Sequence, residues 1–365
     1  MNQRLSKLQT WMRENDIEVS FITSSENVFY LSGYYTNPHE RLLALVVFQT
    51  EEPFLVCPGM EVHDAKRSGW DYEILGYSDI DKPWEMVLTS INKRINGVSK
   101  TAIEKEHMNV ERYEHLSKLF PQAAFISAEE KLRMLRMIKD AKELKIIEEA
   151  CALADFAVEF GSSEIKEGKT ELEILNSLEY ALKQKGVTEM SFSTMVLTGA
   201  NAASPHGNPG ETKIQKGDLV LFDLGVVVDR YCSDITRTVA YGDISYKQKE
   251  IYDTVLKAQL AAIEASKPGV SASEVDLTAR RIIAEAGYGE YFPHRLGHGL
   301  GISVHEYPSL TETNQLIIEE GMVYTIEPGI YVPNVAGVRI EDDIFITADG
   351  AKVLTKFPKE LQIIK

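Results

Sequence analysis

The chain has 365 residues, 44% of them apolar and 26% charged, a length that suits two domains better than one core. Its 55 acids against 39 lysines and arginines leave a formal charge of −16, so a phosphate backbone would be repelled, and no apolar run reaches the roughly 18 residues of a membrane helix. Nucleic acid and membrane are therefore excluded as expected partners.

The first residues, Met1-Asn2-Gln3-Arg4-Leu5, lead into mixed polar sequence rather than a signal peptide. Cys57, Cys151 and Cys232 are far apart and in no metal or redox spacing, which predicts small buried thiols in a reducing, cytoplasmic setting. Leu5, Leu8 and Met12 have helical spacing, 18–23 reads as a strand, and Leu42 to Phe48 reads as a buried strand. This predicts an α/β N-terminal domain over 1–130. A charged helical stretch follows Ser127-Ala128-Glu129-Glu130, and 131–140 is assigned as a linker. Asp140 and Glu143 form a capping box for a helix whose buried face carries Ile147, Cys151, Ala154 and Val158.

The second domain, 141–365, contains a weak repeat. Gly168-Lys169-Thr170-Glu171-Leu172-Glu173-Ile174 and Gly269-Val270-Ser271-Ala272-Ser273-Glu274-Val275 share a hydroxyl cap, a Glu three residues on, and a Gly (Gly186, Gly287) where a helix would stop. Two αα-plus-strand halves with internal pseudo-symmetry around a shared sheet are expected.

Within that domain Leu219 to Val228 and Tyr231 to Val239 are strand-like runs separated by Asp229-Arg230. A two-residue hairpin loop there pairs Val228 with Tyr231 and Gly225 with Asp234, which puts Asp223 and Asp234 on one face as diagonal neighbours about 7–8 Å apart. An acid closing a run as apolar as Leu219 to Phe222 needs a partner or a metal. Downstream, His294, His298 and His305 fall within twelve residues, with glycines around His298 that permit close backbone approach. Glu327 precedes Pro328-Gly329, and Arg339 and Glu341 share a strand face by period-two spacing, so the guanidinium can orient a carboxylate.

Asp223, Asp234, His298, Glu327 and Glu341 together offer four carboxylates and one imidazole. That set suits Mn²⁺ or a similar divalent ion, with Co²⁺ and Zn²⁺ as alternatives. Two ions would relieve the repulsion, about 4 kcal/mol per acid pair at 4 Å and a dielectric of 20, and could share a hydroxide.

These positions resemble the dinuclear metallopeptidases of the pita-bread family, which includes methionine aminopeptidase, aminopeptidase P and prolidase. The resemblance rests on Phe222-Asp223-Leu224-Gly225, Ser233-Asp234-Ile235-Thr236-Arg237-Thr238, Gly297-His298-Gly299-Leu300-Gly301, Ile326-Glu327-Pro328-Gly329 and Arg339-Ile340-Glu341-Asp342. It implies a creatinase-type N-terminal domain, an α+β pita-bread (creatinase/aminopeptidase) catalytic domain and hydrolysis of the bond before proline. Asp223 and Glu341 would bridge two metals, Asp234 would complete one site, and His298 with Glu327 the other. Glu327 would also move a proton. His206, in Ser204-Pro205-His206-Gly207, would steady the intermediate, and His305 would face the scissile carbonyl. His294 and Tyr331 would line the proline side, and Arg339 would organise the bridging acids. Arg295 would meet a dipeptide carboxylate, and His39, in Asn37-Pro38-His39-Glu40-Arg41, would reach across a homodimer. Xaa-Pro dipeptides are the expected substrates. The alternatives are longer Xaa-Pro peptides, as for aminopeptidase P, a metal-free creatinase-like enzyme, or an inactive binding module.

Overall fold

Leu5, Leu8 and Met12, spaced for one helical face, are all buried along the helix Gln3–Glu14. The computed structural model describes residues 3–205 and 207–365, and the chain divides into two units, Met1–Arg136 and Met137–Lys365. In the first, strands β1 (Val19–Ile22), β2 (Ala44–Phe48), β3 (Phe54–Pro58), β4 (Glu73–Tyr77), β5 (Lys100–Ile103) and β6 (Ala124–Ser127) form one mixed sheet in the order β4-β3-β2-β1-β5-β6. Every residue of β1, β2 and β3 is buried, as expected of central strands made of apolar and β-branched residues. The helix Glu129–Met137 occupies most of the stretch 131–140 that the sequence suggested as a linker.

The second unit begins with the expected capping box. Asp140 accepts from the Lys142 and Glu143 amides while Glu143 accepts from the Asp140 amide, starting the helix Ala141–Ser163. The repeat is present as two 14-residue helices, Glu171–Gln184 and Ala272–Glu285, capped by Thr170 and Ser271. The reciprocal half of the box forms only in the first. Glu274 turns outward instead and pairs with Arg281 at 3.1 Å. Gly186 and Gly287 follow the two helices with φ of 91° and 85°, a conformation that costs a glycine little.

Each of these helices pairs with a longer one, Ala141–Ser163 or Tyr246–Ala265, and covers its own apolar cluster. The strands β7 (Met195–Thr198), β8 (Leu219–Leu224), β9 (Val227–Val228), β10 (Tyr231–Cys232) and β11 (Ile235–Tyr241) belong to the first half, and β12 (Gly297–Gly299) and β13 (Glu306–Leu310) open the second. They are followed by β14 (Val323–Ile326), β15 (Gly329–Val332), β16 (Ala336–Arg339), β17 (Asp342–Thr347), β18 (Gly350–Val353) and the terminal β19 (Ile363–Ile364). The single shared sheet of the sequence reading is replaced by a four-stranded sheet, β19-β11-β8-β7, and a five-stranded one, β13-β12-β14-β17-β18. The two halves meet where the Glu341 amide donates to the Thr236 carbonyl at 3.0 Å and the Thr238 hydroxyl donates to the Arg339 carbonyl at 3.0 Å. The acids of both halves are brought together at this junction. No helix among the described residues is long and apolar enough to cross a membrane.

Candidate metal centre

The hairpin register matches the expected one throughout. Tyr231 faces Val228, Ile235 faces Leu224 and Thr236 faces Asp223. Asp229 and Arg230 both have positive φ, 44° and 73°, as a two-residue turn between right-twisted strands requires. Gly225 is needed where the strands close up, because a Cβ there would lie 1.8 Å from the Ser233 carbonyl oxygen. Asp223 and Asp234 therefore emerge on one face, beside Glu341 from the second half.

One ligand atom each from Asp234, His298 and Glu341 lie within 4.8 Å of one another, and all three side chains are buried. His298 arrives on β12, whose glycines pack so tightly that a Cβ on Gly297 would lie 1.9 Å from the Thr325 carbonyl oxygen. The His298 Nδ1 is 3.2 Å from the Gly299 carbonyl. A carbonyl only accepts, so Nδ1 carries the proton and the Nε2 lone pair is left facing Glu327 Oε1 at 3.3 Å and Asp234 Oδ2 at 3.7 Å. Burial first, and then the neighbouring His305 and Arg295, hold this imidazole down at about 3, so it is neutral rather than a cation. Burial raises the Glu327 carboxyl to about 7, with Asp223 adding to the rise. It also lifts Asp234 and Glu341 well above the carboxylate range, each pushed further by the other acids.

Three carboxylates and a lone pair facing one another call for positive charge. Asp234 Oδ1 and Glu341 Oε1 are buried without a hydrogen-bond partner among the described residues, a loss of about 1–3 kcal/mol each. Divalent cations would satisfy both oxygens and remove the repulsion, so the residues present fit the metal centre that the sequence implies.

Asp223 stands apart from the triad in one respect: its carboxylate accepts a short charge-assisted bond from Arg339. The guanidinium also donates to the Tyr331 hydroxyl at 2.7 Å and to the Thr236 hydroxyl at 3.1 Å, and Thr236 in turn donates to Glu341 at 2.6 Å. Arg339 thus bonds Asp223 directly and reaches Glu341 through Thr236, whereas the sequence reading put Arg339 and Glu341 on one face of a continuous strand. The reason is local: β16 ends at Arg339 and β17 begins at Asp342, so Glu341 is not on a regular strand.

These residues line a cavity of about 400 Å³ together with His294, Arg295, His305, Tyr331, Phe192 and Met195. The His305 ring lies edge-on to His298 with centroids 4.2 Å apart. His294 Nδ1 is 2.8 Å from the Arg295 carbonyl, which makes it the donor, and its Nε2 accepts from the Tyr331 hydroxyl at 2.9 Å. His39 lies in the N-terminal unit on an exposed turn, with φ of 52° and its amide donating to Asn37 Oδ1. His206 lies outside the described residues.

Residues 145–348 match metallopeptidase family M24. The chain belongs to that family. Residues 4–138 of this M24 metallopeptidase match the creatinase/prolidase N-terminal domain. An Xaa-Pro dipeptidase from Lactobacillus helveticus is 47% identical over 362 residues, covering 99% of this chain and 98% of its own. A prolidase from Pyrococcus horikoshii OT3 superposes with a TM-score of 0.91 at 40% identity, covering 99% of this chain and all of its own. An X-Pro aminopeptidase from Thermotoga maritima MSB8 reaches 0.87 at 30% identity, with 96% and 98% covered.

Several supporting residues escaped the sequence reading. Thr325 accepts from the His298 amide at 3.1 Å and donates to Glu327 at 3.2 Å, and Asp343 accepts from the Asp234 amide at 2.9 Å. Arg237, almost fully buried, donates to the carbonyls of Thr236 and Glu341 and pairs with Asp342 at 2.7 Å. Thr325 stands two residues from Glu327 and could have been found by strand period. Asp343 adjoins a ligand block, but nothing in its type or spacing indicates an inward carboxylate.

Proposed function

We propose that this metallopeptidase hydrolyses the peptide bond preceding proline, with Xaa-Pro dipeptides as substrates and two divalent ions, Mn²⁺ first among them, held by Asp223, Asp234, His298, Glu327 and Glu341. The observation that carries this reading is the convergence of Asp234, His298 and Glu341 at the wall of a cavity that also presents Arg295. The grouping favours Asp234 with Glu341 as the shared pair, since Asp234 lies beside His298 while Asp223 is engaged by Arg339. Bound divalent ions supply Lewis acidity and lower the pKa of water toward neutrality.

The chain's own residues do the rest. Glu327, buried beside the His298 Nε2, is assigned to take a proton from the attacking water and deliver it to the leaving proline nitrogen. His305, held below its ordinary value by burial and by Arg295, is placed to steady charge on the carbonyl oxygen, with His206 assigned a similar part by its motif. His294 and Tyr331, locked to each other, form the wall for the proline ring. Arg295 pairs with the free carboxylate of a dipeptide, which disfavours longer chains. His39 is assigned to the edge of a partner's site in a homodimer, and the three separate free cysteines suit a cytoplasmic enzyme.

The test is hydrolysis of Ala-Pro against Ala-Pro-Ala on one sample whose metal content is measured. Preferred cleavage of Ala-Pro supports the dipeptidase reading, and preference for the tripeptide would replace it with aminopeptidase P. Proline release unchanged by a chelator would remove the metals.

A further inference from the structure

Residues 292–296 have no regular secondary structure, yet two of them, His294 and Arg295, line the cavity. Such a segment needs something outside itself to fix it. The fixing comes from one face of the helix Ala272–Glu285, where Asp276 is completely buried. Its Oδ2 accepts from Arg280 Nε at 2.8 Å, and its Oδ1 accepts from Arg280 Nη2 at 2.9 Å and from the Leu296 amide at 3.1 Å. Arg280 then donates to the Phe292 carbonyl at 3.3 Å through Nη1 and to the His294 carbonyl at 3.0 Å through Nη2, with its guanidinium 4.5 Å over the Phe292 ring.

An Asp/Arg pair at i,i+4 on a helix ordinarily serves only the helix. Here each partner also bonds the irregular segment, and together they hold its two ends and its middle. The restraint continues through the site: His294 donates to the Arg295 carbonyl and accepts from Tyr331, which accepts from Arg339. We propose that Asp276 and Arg280 form a positioning clamp that sets the height and direction of His294 and Arg295 in the cavity, and through them the affinity for dipeptides over longer peptides. The inference rests on the reading above that Arg295 meets the dipeptide carboxylate. The planar fork of arginine is required, since a lysine ammonium cannot span both Asp276 oxygens and reach two carbonyls at once.

The experiment uses the full-length Mn²⁺-loaded protein and its Arg280→Met and Arg280→Lys variants. Read together are steady-state kinetics on Ala-Pro and Ala-Pro-Ala, bound Mn²⁺, and amide exchange of peptides spanning 292–296. The clamp predicts that KM for Ala-Pro rises about tenfold or more in R280M while kcat changes less than about threefold. Preference over Ala-Pro-Ala narrows, Mn²⁺ content is unchanged, and 292–296 exchanges faster. R280K, which keeps the charge and fills the same space, shows the same pattern at smaller amplitude and serves alone should R280M not fold. An unchanged KM, or a fall in kcat tracking lost folded protein with KM unmoved, overturns the proposal. Should wild type fail to cleave Ala-Pro, the dipeptidase reading falls. The clamp is then judged by exchange alone, and unaltered protection of 292–296 overturns it.

Discussion

Removing the cations should make the stability of this protein depend on pH in an unusual direction. In the metal-free fold, burial raises Glu327 from its ordinary 4.5 to about 7, and Asp234 and Glu341 are displaced the same way. A carboxyl whose folded pKa lies above its unfolded value binds its proton more tightly when folded. Its stabilisation is therefore complete below pH 4.5 and is lost as pH rises through about 7. For Glu327 alone, at about 1.4 kcal/mol per pH unit, the loss is roughly 3 kcal/mol. In a unit of this size each kcal/mol moves Tm by about 2–4 °C, so the metal-free Tm should fall by roughly 6–12 °C between pH 4.5 and 7.5 on account of this group. Calorimetry of chelator-treated wild type against Glu327→Gln isolates it, because the amide cannot titrate. Saturating Mn²⁺ should abolish the difference in slope by displacing the shared protons. Parallel pH profiles for metal-free wild type and E327Q would refute the reasoning, as would a wild-type Tm that rises with pH relative to the variant.

The same variant at saturating Mn²⁺ is expected to stay folded by circular dichroism and to lose at least about 10²–10⁴-fold in kcat, since the amide removes the proton carrier together with a charged metal ligand. Thr236→Val deletes the hydroxyl that joins Arg339 to Glu341 and should weaken Mn²⁺ binding about 10–100-fold in a competition titration against a chelating dye. Unchanged affinity there would show that Glu341 needs no such support.

What the sequence made visible and what it hid divide along physical lines. The Asp223–Asp234 hairpin was readable because a two-residue turn fixes the register of every pair beyond it, and Thr236 does face Asp223. Capped helices were readable for the same reason, that caps are local. The second box is half-made because Glu274 finds Arg281, seven residues or about two turns further along the helix, a choice that spacing does not decide. Partners across elements were hidden from local pattern, and only the family resemblance joined Arg339 to Asp223 and Glu341. Arg339 pairs with Asp223, 116 residues earlier, and meets Glu341 only through Thr236 because the strand breaks between them. Asp276 and Arg280 drew no attention in the sequence, since nothing local tells that the segment 292–296 is bonded to them. The sequence alternation predicted which acids face inward. It did not predict that Asp234, rather than Asp223, would lie beside His298.

Five side chains from both halves of the second unit are proposed to hold a pair of cations, and anomalous diffraction from crystals grown with Mn²⁺ would locate such ions. Two peaks about 3.5–4 Å apart, bounded by Asp223, Asp234, His298, Glu327 and Glu341, are the predicted result. Crystals that take up no Mn²⁺ at saturating concentration, or peaks bound elsewhere with Asp234, His298 and Glu341 left bare, would contradict the account.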